Sequence, residues 1–165
     1  MGTGKSIIGR RLAVELRYHF IDTDKMIEDR TQKRVPEIFE ESGEAYFRSM
    51  EAEIVKEVSE LSHHVISTGG GVPINPENLD CLEQSGILVT LTARPEIILK
   101  RVQRRKGERP LLDDGNSLTT ITRLLSERLP YYSRSIIAID TSDIQIGESV
   151  RRLLKQITPH LQGIN

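Results

Sequence analysis

Short apolar runs alternate with longer stretches of helical period along this chain. Val65-Ile66-Ser67, Ile87–Leu91 and Ile136–Asp140 are continuous, largely β-branched runs bounded by polar or turn residues, the pattern of strands buried on both faces. Tyr18–Asp22 is a weaker fourth. Between them, apolar residues recur every three or four positions over Ser6–Leu16, Glu44–Leu61, Pro76–Ser85, Pro95–Arg105, Leu118–Leu129 and Gly147–Leu161, and each stretch predicts a helix with one face in the core. Such alternation predicts an α/β fold, a parallel sheet covered on both faces by helices. Nothing marks an internal repeat or a linker, and 165 residues predict one domain spanning 1–165. Lys106–Ser117, polar and glycine-containing between two helical patterns, predicts a mobile loop.

Composition narrows the partners. A hydrophobic fraction of 37% is enough for a packed core. Lys and Arg number 23 against 24 acidic residues, so a net charge of −1 provides no global field for nucleic acid or an anionic membrane. No apolar run approaches the roughly 18 residues of a membrane helix, and the start lacks a signal pattern. The single cysteine, Cys81, excludes an intramolecular disulfide framework and a multi-cysteine zinc site. It fits a reducing compartment, with the cytoplasm as the default.

Met1-Gly2-Thr3-Gly4-Lys5-Ser6, followed by an apolar-periodic helix, reads as the end of a G-x-x-x-x-G-K-[ST] loop, whose backbone N–H groups wrap nucleotide phosphates. Lys5 would reach the β and γ phosphates and Ser6 would ligate magnesium. A flexible start followed by an ordinary helix opening is the alternative. The first glycine of the motif and the strand that feeds it would precede Met1, so the native protein is expected to carry about eight to ten further residues that supply a central strand.

Other constellations lie at strand ends, where ligands of open α/β sheets bind. Asp22-Thr23-Asp24 offers one acid to hold magnesium through water and one to orient or deprotonate a hydroxyl; a turn with a helix cap at Asp24 is the bland reading. Arg48 and Glu51, three apart on one helix, are either a surface pair or a preorganised fork for an anion. Gly69-Gly70-Gly71 after a strand suggests close approach of backbone to a ligand. Arg101, Arg104, Arg105, Lys106 and Arg109 form a local basic segment, a solvated helix end or a cationic lid that closes Arg109 onto a transferring phosphoryl. Arg128, in Arg128-x-Pro130-x-Tyr132, is a terminal cation or a second anion ligand. His63 and His64 read as surface residues and Cys81 as packing.

In order and approximate spacing, the Gly-Thr-Gly-Lys-Ser loop, Asp22-x-Asp24, Phe47-Arg48-x-x-Glu51, Gly69-Gly70-Gly71, Arg109-Pro110-Leu111-Leu112 and Arg128-x-Pro130-x-Tyr132 resemble the shikimate kinases over nearly the whole chain. The resemblance implies the fold of the nucleoside monophosphate kinases: three layers, α/β/α, around a five-stranded parallel sheet of order 2-3-1-4-5, with strand 1 missing here and a lid near 106–117. It implies transfer of the ATP γ-phosphoryl to the 3-hydroxyl of shikimate, with Mg2+ as cofactor, by a cytoplasmic monomer. Gly2, Thr3, Gly4, Lys5, Ser6, Ile7 and Arg109 would then bind ATP, and Ser6 and, through water, Asp22 would hold the metal. Lys5, Asp24 and Arg109 would be catalytic. Asp24, Arg48, Gly69, Gly70, Gly71 and Arg128 would surround shikimate. Some relatives place an arginine near adenine just after the last strand, whereas this chain has Asp140-Thr141-Ser142-Asp143, which leaves Arg101 as the weaker candidate. A gluconate-type kinase and a non-catalytic nucleotide-binding module are the rival expectations.

Overall fold

The computed structural model describes residues 2–103 and 117–161. In chain order it contains α1 (Lys5–Leu16), β1 (His19–Asp22), α2 (Thr23–Thr31), α3 (Val35–Ser59), β2 (His64–Ser67), α4 (Pro76–Ser85), β3 (Val89–Thr92), α5 (Pro95–Gln103), α6 (Ser117–Tyr132), β4 (Ile137–Asp140) and α7 (Ile146–Leu161). The expected loop from Lys106 to Ser117, and Arg109 within it, lie outside the described residues, Ser117 excepted as the first residue of α6.

Two parallel pairs form. β1 pairs with β2, setting Ile21 opposite Ile66 and Asp22 opposite Ser67. β3 pairs with β4, setting Leu91 opposite Ile139. In the order 2-3-1-4-5 these correspond to the two outer pairs, 2-3 and 4-5. Between β2 and β3 lies a cavity of about 450 Å³, walled also by Ile8 and Leu12 of α1 and by Leu153 and Ile157 of α7.

Successive strand residues point to opposite faces, so the two neighbours of one strand identify the layers. Val65 packs with α1 and α7, in a cluster built on Ile8, Leu12, Ile137, Ile139, Val150, Leu153 and Ile157. Ile66 packs with α2 and α3, around Ile27, Ile38, Phe47, Met50, Ile54 and Val58. Helices therefore cover both faces, as the alternating pattern predicts.

Two differences have physical causes. The apolar runs predict strands buried on both faces, yet Val65, Ile66, Val89 and Leu91 are half-buried, because β2 and β3 each border the cavity on one edge. The long helix starts at Val35 rather than Glu44: a first segment is joined to the second across Gly43, whose φ of 78° interrupts the helix and breaks the apolar period. The early start is stabilised by the Arg34 N–H, which donates to Glu37 Oε2 at 2.8 Å, and by Pro36 in the first turn.

Candidate active site

Gly2 and Gly4 adopt φ of 65° and 94°, a left-handed region that a side chain makes costly. This brings the chain onto the start of α1 with no side-chain cap and no acidic residue in the first turn. The leading amides, those of Lys5, Ser6 and Ile7, are thus left for an external anion, which the helix dipole also favours. The loop is clamped from behind. Arg101 donates to the Gly2 carbonyl at 3.3 Å, to Thr141 Oγ1 at 3.1 Å and to the Thr141 carbonyl at 2.6 Å. Buried Thr141 places its hydroxyl 3.0 Å from the Thr3 carbonyl and 2.9 Å from the Thr92 carbonyl. Arg101 therefore buttresses the phosphate loop, and these bonds give no support to an adenine contact.

At the carboxyl end of β1, Asp22 occupies the N-cap position of α2, but its side chain makes no capping hydrogen bond. Its Oδ2 instead accepts a hydrogen bond from Ser6 Oγ at 2.6 Å. With its proton directed at Asp22, the Ser6 hydroxyl keeps its lone pairs for a cation, and Asp22 supplies negative charge one atom further out. This all-oxygen donor set fits magnesium, which retains several waters and takes further ligands from phosphates. Among the described residues no cluster of three or more His, Cys, Asp or Glu forms an all-protein metal cage.

The second half of the site gathers around the glycine loop. Asp24 lies in the first turn of α2 rather than at its cap, so the cap alternative does not hold. Arg48 and Glu51 project from α3, and Arg128 and Tyr132 from the end of α6. The Gly69 N–H donates to Thr23 Oγ1 at 3.2 Å, tying the loop to α2. A Cβ on Gly69 would stand 2.7 Å from Asp24 Oδ1 and 2.8 Å from Glu51 Oε1, and one on Gly71 would overlap the Arg48 guanidinium. These glycines are required by close approach, not by positive φ.

The charges are only partly paired. Arg48 bonds Glu51 through Nη1 and Glu44 through Nη2, the latter at 2.9 Å. Glu51 is 1% exposed, so the pair is no surface bridge. Burial pushes the Glu51 carboxyl up; Arg48 pulls it down, and the neighbouring Asp24 carboxylate raises it further. For Arg48, burial lowers the guanidinium's affinity for its proton, and Glu51 and Glu44 together more than offset this. Arg128 is 8% exposed, and its Nε has no hydrogen-bond partner among the described residues, nor has Glu51 Oε1. A buried guanidinium with a spare donor is suited to a carboxylate or phosphate.

Gly2 to Ile7 and Asp22 thus form one group, and Asp24, Arg48, Gly69 to Gly71 and Arg128 a second that begins two residues further along the chain. Thr23 and Tyr132 were not singled out from sequence as site residues, and Glu51 only as the partner of a possible Arg48 fork. Glu51 and Tyr132 did stand inside the motifs, so their regular spacing from Arg48 and Arg128 was the available signal.

A parallel α/β fold with a glycine loop on a helix N-terminus, and a serine–aspartate pair beside it, defines a phosphate-loop kinase. A family model described as shikimate kinase matches residues 1–158, and the chain belongs to that family. A shikimate kinase from Caldanaerobacter subterraneus subsp. tengcongensis is 43% identical over 155 residues, 94% of this chain and 90% of that protein. One from Thermus thermophilus is 43% identical over 163 residues, 99% and 89% of the two chains. Among solved structures, shikimate kinase from Acinetobacter baumannii in complex with shikimate superposes with a TM-score of 0.92 at 35% identity, covering 97% of this chain and 89% of that one. The Aquifex aeolicus shikimate kinase gives 0.84 at 35% identity, covering 99% and 95%. The fold expected from the sequence is therefore confirmed. No helix among the described residues is long and apolar enough to cross a membrane.

Proposed function

We propose that residues 1–165 work as one domain that transfers the γ-phosphoryl group of ATP to the 3-hydroxyl of shikimate, with the roles below. The observation that carries this reading is the convergence of Asp24 and Glu51 on Gly69 and of Arg48 on Gly71, with Arg128 acting on Glu51 and Tyr132 and with Asp22 of the Ser6–Asp22 pair two residues before Asp24. A small acid bearing hydroxyls needs cations for its carboxylate and an acid for its hydroxyls, and both are present here.

Lys5 and the amides from Gly2 to Ile7 hold the ATP phosphates. Ser6, with Asp22 through water, would hold magnesium, which when bound would neutralise charge on the phosphate oxygens. Arg48 and Arg128 grip the shikimate carboxylate, and the Gly69 to Gly71 backbone borders the ring. Asp24 accepts the hydrogen bond of the 3-hydroxyl and takes its proton as that oxygen bonds to the γ-phosphorus; the bond from phosphorus to the bridging oxygen breaks, and ADP leaves with the electron pair. Arg109 is assigned to the transferring phosphoryl by the resemblance. The single cysteine fits a reducing compartment and so the cytoplasm, and the resemblance is the ground for reading the enzyme as a monomer.

A coupled ADP-release assay with ATP, magnesium and shikimate, and gluconate as the control acceptor, tests this. Shikimate-dependent release with none from gluconate is expected. ATP binding without release from either acceptor would instead favour a non-catalytic nucleotide module.

A further inference from the structure

Tyr132 closes α6, one turn beyond Arg128 on the same face. Its hydroxyl donates to the Gly70 carbonyl at 2.8 Å, and its own carbonyl accepts from the Thr90 hydroxyl of β3 at 3.2 Å. The residue is thus held at both ends. Burial pushes its phenol up, while nearby Arg128 pulls it down; the net direction is upward, so the hydroxyl keeps its proton and remains a donor at neutral pH.

The Gly70 carbonyl and the Gly71 N–H belong to one planar trans peptide and point in opposite directions. Fixing the first fixes the second. Glycine restrains its own backbone least of all residues, so two adjacent glycines need an outside bond to keep that peptide in one orientation. The same peptide abuts Arg48, whose guanidinium occupies the space that a Gly71 Cβ would fill.

We propose that Tyr132 is a positioning residue for the acceptor half of the site: its hydroxyl locks the Gly70–Gly71 peptide and ties it to the helix turn that carries Arg128. This rests on the reading of that half as the shikimate pocket. Tyr132 acts through the glycine loop and not on the reacting atoms. Its effect therefore falls on the acceptor and spares the nucleotide, whose loop is clamped by Arg101 and Thr141.

Tyr132→Phe removes the hydroxyl and keeps the ring. A rise of about three- to tenfold in the shikimate KM is expected, the range of one net hydrogen bond, with the ATP KM within about twofold of the parent. Equal changes in both KM values, or none, would overturn the proposal. Hydrogen exchange on the ligand-free protein reads the same lock without reference to any substrate: the Gly69 and Val72 amides, which donate to Thr23 Oγ1 and to the Gly69 carbonyl, should exchange faster in the variant, with the Ile8 amide, which donates to the Gly4 carbonyl, unchanged. Unaltered exchange at Gly69 and Val72 refutes the lock. Faster exchange in a protein that ignores shikimate refutes only the substrate reading. Should Tyr132→Phe fold poorly, a fluorinated tyrosine at 132 preserves the ring and ionises at lower pH. Its shikimate KM should then climb with pH while that of the parent stays level, and level profiles in both would count against the proposal.

Discussion

Asp24 Oδ1 and Glu51 Oε1, carried by different helices, both close on Gly69, 2.7 and 2.8 Å from the point where a Cβ on that residue would stand. Neither distance can be tolerated by a real side chain, so alanine at 69 must push two carboxylates aside. Gly69→Ala should lower kcat on the order of 100-fold, the scale of a misplacement of about 1 Å at a reacting group. Steady-state kinetics beside a melting curve checks this; near-normal kcat would show that the carboxylates yield without consequence.

Asp24→Asn keeps the shape and removes the carboxylate proposed as the base. Turnover should fall on the order of 100- to 10,000-fold, with ATP binding, followed by calorimetry, close to intact. Near-normal turnover would take Asp24 out of the mechanism.

Glu51 makes stability depend on pH. Burial first of all holds its folded carboxyl above the ordinary value of 4.5. The folded state thus keeps a proton that the unfolded chain has already released, so this group's contribution falls as pH rises from the unfolded value and levels off above the folded one. Glu51→Gln abolishes the titration. Between about pH 4.5 and neutrality its urea midpoint should therefore fall less, or rise more, than that of the parent, and parallel curves would contradict the assignment.

Ser6→Ala deletes the hydroxyl that donates to Asp22 at 2.6 Å. Loss of this proposed oxygen ligand should raise the magnesium concentration for half-maximal ADP release about tenfold, while ATP binding without magnesium changes little. A magnesium titration of both proteins decides it.

Arg101→Ala should act as the mirror image of Tyr132→Phe. It removes three donations behind the phosphate loop, one to Gly2 and two to Thr141. The ATP KM should rise several-fold, with the shikimate KM within about twofold. An effect confined to shikimate would mean that the two halves are coupled in a way the bonds do not describe.

The order of elements was legible because strands and helices have different apolar periods, and the chemistry was legible wherever a motif is contiguous. Lys5 and Ser6 sit in such a motif, and so do the three glycines. The alternating pattern was less informative at α3, where Gly43 hides one helix segment behind another. It was silent on the half-exposed flanks of β2 and β3, since a residue's period does not say whether a neighbouring strand is there to cover it. For Arg101 and Tyr132 the residue types were visible while their partners were not: Gly2 is 99 positions from Arg101, and Gly70 is 62 from Tyr132.

From the sequence alone came the α/β class, the phosphate loop and the family resemblance, because each depends on the order and spacing of residues along the chain and not on which of them meet in space. The tertiary structure decided that Glu51 is buried against Asp24 rather than paired at the surface. It also decided that Asp22 serves Ser6 rather than its own helix, and that the phosphate loop and the glycine loop are held by different residues. Those outcomes depend on which distant side chains meet once the helices pack, and desolvation and hydrogen bonding act only on groups that have been brought together.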